Sequence, residues 1–224
     1  MKLFLPLLGL MAIMSCKPSD KKAEPAAETP AELPLLDRLA QAHGYDHWKG
    51  VSEIRFTFNV DRDTTHYERS WIWDVRSQRV TRIAQGDTVS YLRSAVDSTL
   101  AQADGGFIND KYWMLAPFQW VWDRESFTHT YEEGVAAPLS GKTSNKLTIV
   151  YQGDGGYTPG DAYDFFLDEN DRVFEWNFRR GNQPEPSLTS TWEDYKDFGG
   201  LQIATMHQNA DGSFKLYFTG IEVN

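Results

Sequence analysis

The chain of 224 residues holds a single cysteine, Cys16. One thiol excludes an intramolecular disulfide and any cysteine-based metal cluster, so stability has to come from packing. Basic residues are also short, with 22 Lys and Arg against 32 Asp and Glu and a net charge of -10. Nucleic acids are held by clustered cations that release counterions from phosphate, and this balance argues against such a partner. No apolar run reaches the ~20 residues that a bilayer-spanning helix needs. GxGxxG, GxxxxGK, GxSxG and HExxH are all missing, so neither a nucleotide-binding loop nor a familiar hydrolase centre is indicated. Aromatic residues, by contrast, are plentiful. Eight Trp, ten Tyr and thirteen Phe are far more than a disordered chain carries, and they describe a globular body.

The N-terminus has its own logic. Met1-Lys2 supplies one positive charge, Leu3 to Met14 is almost wholly apolar, and the run closes on Ile13-Met14-Ser15-Cys16. An apolar residue, a tolerated one, a small one and then Cys resembles the bacterial lipoprotein box. The resemblance implies a signal peptide over 1–15, a thioether to diacylglycerol at Cys16, and Cys16 as the new N-terminus. Each buried CH₂ contributes ~0.8 kcal/mol, so two or three acyl chains form a nearly irreversible anchor. Processing removes Lys2 and leaves 21 basic against 32 acidic side chains. An acidic body gains nothing from anionic lipid, which makes the acyl group the membrane contact. Lys17, and not Asp, follows Cys16, so the inner-membrane retention signal of enterobacterial lipoproteins is missing. The expected location is the cell envelope, at the outer membrane. Residues 16–33 are rich in Pro, Ala and charge, which suits a disordered tether.

Beyond the tether, Leu35, Leu36, Leu39 and Ala42 recur at helical spacing between Pro34 and His43, with Gly44 as a stop. Period-two patterning then takes over. Ile54, Phe56, Phe58 and Val60 alternate with Glu53, Arg55, Thr57 and Asn59. Further strands are predicted over Tyr67–Val75, Arg79–Ala84, Thr88–Leu92, Ser126–Glu132, Asn145–Gln152, Ala162–Leu167, Arg172–Arg180, Ser187–Tyr195, Leu201–Gln208 and Phe214–Val223. Short connections such as Asp168-Glu169-Asn170-Asp171 and Asp211-Gly212 imply antiparallel pairing, because parallel neighbours need crossovers of a dozen residues or more. The stretch 104–123 is different. Asn109 or Asp110 can cap a short helix that Pro117 ends, with Tyr112, Trp113 and Ala116 on one apolar side, and such a segment should cover the sheet as a lid or plug.

Three strings carry a further resemblance. They are Ala42-His43-Gly44-Tyr45-Asp46-His47-Trp48-Lys49-Gly50-Val51, Asn109-Asp110-Lys111-Tyr112-Trp113-Met114-Leu115 with Pro117-Phe118, and Thr191-Trp192-Glu193-Asp194-Tyr195-Lys196 with Gly199-Gly200-Leu201. Together with the helix, long sheet and mid-chain helix, they resemble the LolA and LolB lipoprotein-carrier family, and in particular LolA-like lipoproteins of Gram-negative envelopes. The resemblance implies an α+β fold over 34–224, a strongly curved antiparallel sheet of about ten or eleven strands covered by short helices. It also implies an unclosed half-barrel whose apolar cavity receives an acyl chain or a lipidated protein. None of the family's functional residues aligns with a position here.

The residues expected to meet such a ligand are the inward aromatic rows: Phe56 and Phe58, then Trp71 and Trp73, then Phe174, Trp176 and Phe178, with Trp113 from the covering helix. The same rings can instead pack solid, leaving an envelope scaffold that meets a protein or glycan through its outer surface or the Gly153–Asp164 loop. No metal or cofactor is expected. Gly44 breaks the helical register between His43 and His47, while His66, His129 and His207 stand apart. The loop aspartates do not follow calcium-loop spacing. Glu175, Glu193, Asp194, Asp123 and Glu125 form no recognisable acid–base centre, and enzymatic activity is not expected.

Overall fold

Pro34, extended at φ -51° and ψ 144°, leads into α1 (Leu35–Gln41), which buries Leu36, Leu39 and Ala40. The computed structural model describes residues 33–153 and 157–224; the signal peptide, Cys16 and the tether lie outside the described residues. The chain leaves α1 through Gly44 at φ 85°. A Cβ on Gly44 would overlap the carbonyl of Gly200, and one on Gly200 would overlap the His47 ring, so only glycine permits this approach. Gln202 N–H donates to the His43 carbonyl at 2.9 Å in the same place.

Four strands then run as a meander: β1 (Glu53–Arg62), β2 (Thr65–Asp74), β3 (Arg79–Ala84) and β4 (Asp87–Leu92). After α2 (Ala101–Trp122) come β5 (Phe127–Ala136), β6 (Thr143–Tyr151), β7 (Ala162–Leu167), β8 (Val173–Arg179) and β9 (Leu188–Thr191). The chain returns through β10 (Glu193–Phe198), β11 (Leu201–Gln208) and β12 (Phe214–Val223). All pairing is antiparallel. One sheet has the order β10-β11-β12-β1-β2-β3-β4, the other β5-β6-β7-β8-β9, and neither closes on itself. Residues 33–224 form one compact unit, α+β in class as the resemblance implied.

Two expectations are corrected. The run Ser187–Tyr195 is not one strand: it breaks at Trp192, and Asp194 adopts φ 53°, so the chain steps from the five-stranded sheet into the seven-stranded one. Side chains stitch this seam. Thr191 Oγ1 accepts from Gln208 N–H at 3.1 Å, and His207 Nδ1 lies 3.2 Å from the Thr191 carbonyl. Pro117 also fails to end the middle helix. Leu115 leaves helical geometry at φ -126° and ψ 25°, which relieves the clash of the proline ring with the preceding turn, and α2 continues to Trp122.

The helix is apolar nearly all round, burying Phe107, Tyr112, Trp113, Met114, Leu115, Phe118 and Trp120. A helix with that pattern belongs inside a protein. Asp110 fixes it to β2: Arg69 Nε and Nη2 each donate to its carboxylate at 2.5 Å, and Trp71 Nε1 donates at 2.7 Å. Among the described residues no helix is long and apolar enough to cross a membrane.

Candidate functional site

Helix α2 fills much of the space between the sheets but not all of it. A cavity of about 350 Å³ remains, lined from one side by Phe58, Val60 and Arg62 of β1 and by Phe214 and Leu216 of β12. Its other wall is Tyr163 of β7, Trp176 and Phe178 of β8, Arg180, and Leu188 of β9, with Asn109 and Trp113 of α2 and Tyr157 and Thr158 completing it. Strand periodicity explains the two main walls. Residues two apart share a face, so Phe58, Val60 and Arg62 project together, as do Trp176 and Phe178, with Arg180 just past the end of β8 in the turn Arg180–Asn182.

The polar groups here are few, and most are spoken for. The Tyr157 hydroxyl donates to Asn109 Oδ1 at 3.3 Å, and the Thr158 and Tyr163 hydroxyls lie 2.9 Å apart. Burial pushes the phenols of Tyr112, Tyr157 and Tyr163 up, so they stay neutral and present ring faces without charge. Tyr157 stacks on Tyr112 with centroids 3.8 Å apart, and Trp113 packs against Trp176 at 4.4 Å. What remains is a cleft whose inner wall is made of aromatic rings, with no charged group among them.

The aromatic residues expected at a ligand site divide. Phe58, Trp113, Trp176 and Phe178 line the cavity. Phe56, Trp71 and Trp73 lie in the core behind it, where Trp71 and Trp73 each pack on Phe107 at 5.5 Å. Phe174 leaves its row altogether. Register shifts between Phe166 and Leu167, whose partners are Glu175 and Val173, so Phe174 sits in a bulge. Its ring lies in a separate, open cleft of about 450 Å³, with Lys142 Nζ 5.9 Å away. A bulge changes which side chains share a face, and alternation alone does not reveal it. Tyr157, Tyr163, Leu188, Leu216 and the two arginines were not anticipated. Arg62 continues a row already recognised, so two-residue spacing carried that signal, whereas Arg180 follows the end of β8 and Tyr157 sits in a loop that has no period.

Several other titratable groups have structural partners. His43 Nδ1 lies 2.9 Å from the Leu39 carbonyl, and its Nε2 accepts from Val173 N–H at 3.2 Å. Glu175 accepts from the amides of Leu139 and Ser140 at 2.7 and 3.0 Å. Glu193 accepts from Gln208 Nε2 at 3.1 Å. In the Gly153–Asp164 loop, Asp164 pairs with Arg179 at 2.9 Å and Asp161 accepts from Gly181 N–H at 2.7 Å; residues 154–156 lie outside the described set. Among the described residues no group of three His, Cys, Asp or Glu is placed to hold a metal.

No protein family profile matches the sequence, and no curated protein matches it. Solved structures do match. In fold the chain is similar to a LolA superfamily protein. That protein, from Nitrosomonas europaea, is 10% identical, with 84% of this chain and 93% of that one covered at a TM-score of 0.39. A DUF1329 family protein from Desulfovibrio piger is 9% identical over 84% of this chain and 91% of its own, at 0.46. The Mycobacterium tuberculosis lipoprotein LppX is 10% identical over 83% and 96%, at 0.28.

Proposed function

We propose that this protein is a lipid-anchored envelope protein that binds a hydrophobic ligand in the cavity between its sheets, with no catalytic step. Residues 1–15 are its signal peptide, Cys16 carries the acyl anchor that holds it to the outer membrane, 16–33 form the tether and 34–224 the binding body. The observation that carries the reading is the 350 Å³ cavity, which survives although α2 and its rings occupy the rest of the interior. That volume lies at the lower end of the ~300–1,000 Å³ range of small-molecule sites. Binding is driven by desolvation, at ~25 cal/mol per Å² of apolar surface removed from water. Phe58, Trp113, Trp176 and Phe178 make the contacts; Phe56, Trp71 and Trp73 hold the walls in place.

The test uses N-phenyl-1-naphthylamine, an uncharged apolar fluorophore, with the polypeptide from Lys17 onward, which keeps the whole compact unit. The probe should bind with enhanced emission, and Leu188→Trp, which fills the cavity from β9, should abolish binding while leaving the circular dichroism spectrum unchanged. Binding that persists in Leu188→Trp would place the apolar site elsewhere. In cells, Cys16→Ser should prevent acylation and the release of a processed, membrane-bound form, seen by palmitate labelling and fractionation.

A further inference from the structure

Both main walls of the cavity share one sequence of polarity. On β1, Phe58 is 4% exposed, Val60 is half-buried and Arg62 is exposed. On β8 and just beyond it, Trp176 is 2% exposed, Phe178 is half-buried and Arg180 is exposed. Each row therefore starts on an apolar ring in the interior and ends, four residues on, with a guanidinium at the surface. The rows belong to different sheets, yet they border the same cavity. Arg62 and Arg180 thus bring positive charge to its mouth from opposite walls of a protein whose net charge is -10.

These arginines differ from their neighbours. Arg69 and Arg179, nearby on β2 and β8, are tied to Asp110 and Asp164. Among the described residues, neither Arg62 nor Arg180 has a carboxylate within ion-pair distance; the Arg62 guanidinium instead lies 5.3 Å from the Phe214 ring, itself part of the cavity wall. A planar guanidinium with open donors suits an anionic oxygen group, which it can meet through two parallel N–H donors.

Cavity size limits the rest of the ligand. At about 350 Å³ the space stands near the lower end of the ~300–1,000 Å³ range of small-molecule sites, which favours one alkyl chain over two.

We infer that the ligand is a single-chain anionic amphiphile, its chain in the cavity and its carboxylate or phosphate held at the mouth by Arg62 and Arg180. The inference rests on the proposed hydrophobic site and deepens it. It is tested by displacing N-phenyl-1-naphthylamine from the polypeptide beginning at Lys17 with laurate, dodecyl phosphate, dodecanol and didodecanoyl phosphatidylglycerol. At least one of the two single-chain anions should displace the probe at about tenfold lower concentration than dodecanol. Which of them is more effective identifies the headgroup. In the Arg62→Gln/Arg180→Gln double variant that advantage over dodecanol should disappear, each competitor being referred to the variant's own affinity for the probe, and 1 M salt should reduce it in the wild type. The two-chain lipid should displace poorly. Equal displacement by dodecanol, an advantage that persists in the double variant, or displacement by the two-chain lipid at laurate concentrations would each overturn the inference with the apolar site still standing. Failure of the wild type to bind the probe at all would remove the site as well.

Discussion

Lys111 is an ammonium among rings. Its Nζ lies 5.3 Å from the Trp122 ring, 5.4 Å from Trp73 and 5.9 Å from Phe107. Burial, reinforced by Arg93, lowers its pKa from 10.5 to about 8. The folded state therefore carries the whole penalty below pH 8, and sheds it as pH rises from 8 through 10.5. Allowing for the attraction of the rings, Lys111→Met is expected to stabilise the protein by about 2 kcal/mol at pH 7. Urea denaturation should show the gap between variant and wild type closing as pH approaches 10. His43 and His207 work in the acid range. Burial holds their pKa values at about 4 and about 3, against 6.5 in the unfolded chain. Above pH 6.5 both are neutral in either state and cost nothing; below it the unfolded chain takes up the protons first. Each should remove about 1.4 kcal/mol of stability per pH unit, down to its own folded value. The denaturation midpoint should fall between pH 7 and 5, and His207→Gln should make that fall shallower.

At the scale of elements, α2 shows why a glycine's neighbours matter more than its propensity. Gly105 and Gly106 are adjacent in the helix, and nothing lies within 4 Å of a Cβ built on the first. A Cβ on Gly106 would stand 2.7 Å from Nη1 of Arg69, whose guanidinium is held in place by Asp110. Gly105→Ala should therefore gain up to ~1 kcal/mol from helix propensity. Gly106→Ala should lose about 1–3 kcal/mol, because a displaced Arg69 leaves the Asp110 carboxylate buried without its full set of donors. Thermal denaturation of the two variants side by side gives opposite signs if the Asp110 cluster fixes α2 against β2. Helix α2 runs through Pro117 by a local break at Leu115, with buried residues on either side of it, Tyr112 and Trp113 before and Phe118 and Trp120 after, keeping both segments in the core.

At the scale of the whole molecule, the five-stranded sheet is an insertion. β1 to β4 and β10 to β12 share one sheet, with β12 pairing along β1 from Ile54 to Arg62, while the chain between them builds the other. The cavity exists because those two sheets face each other across α2. Strand alternation and turn residues made most strands legible: β7, β11 and β12 begin and end where the pattern places them. The sequence strings Ala42–Val51 and Gly199-Gly200-Leu201, far apart in the chain, proved to be one packing site, since Gly44 and Gly200 allow their backbones to touch. At Trp192 the inward positions shift phase, from Ser190 and Trp192 to Tyr195, but a bulge within one strand leaves the same mark, so the spacing alone does not announce a change of sheet.

The sequence by itself determined the antiparallel α+β character and the aromatic content of the interior, since residue period and turn chemistry are local properties that survive in any single chain. It also carried the lipoprotein-like N-terminus. Only the tertiary structure decided how the strands divide into two sheets, that Phe174 turns away in a bulge while Phe178 does not, and that Arg62 and Arg180 border one cavity. Those outcomes depend on which distant segments pair and on how much volume α2 fills between them, and neither quantity is written in the spacing of residues along the chain.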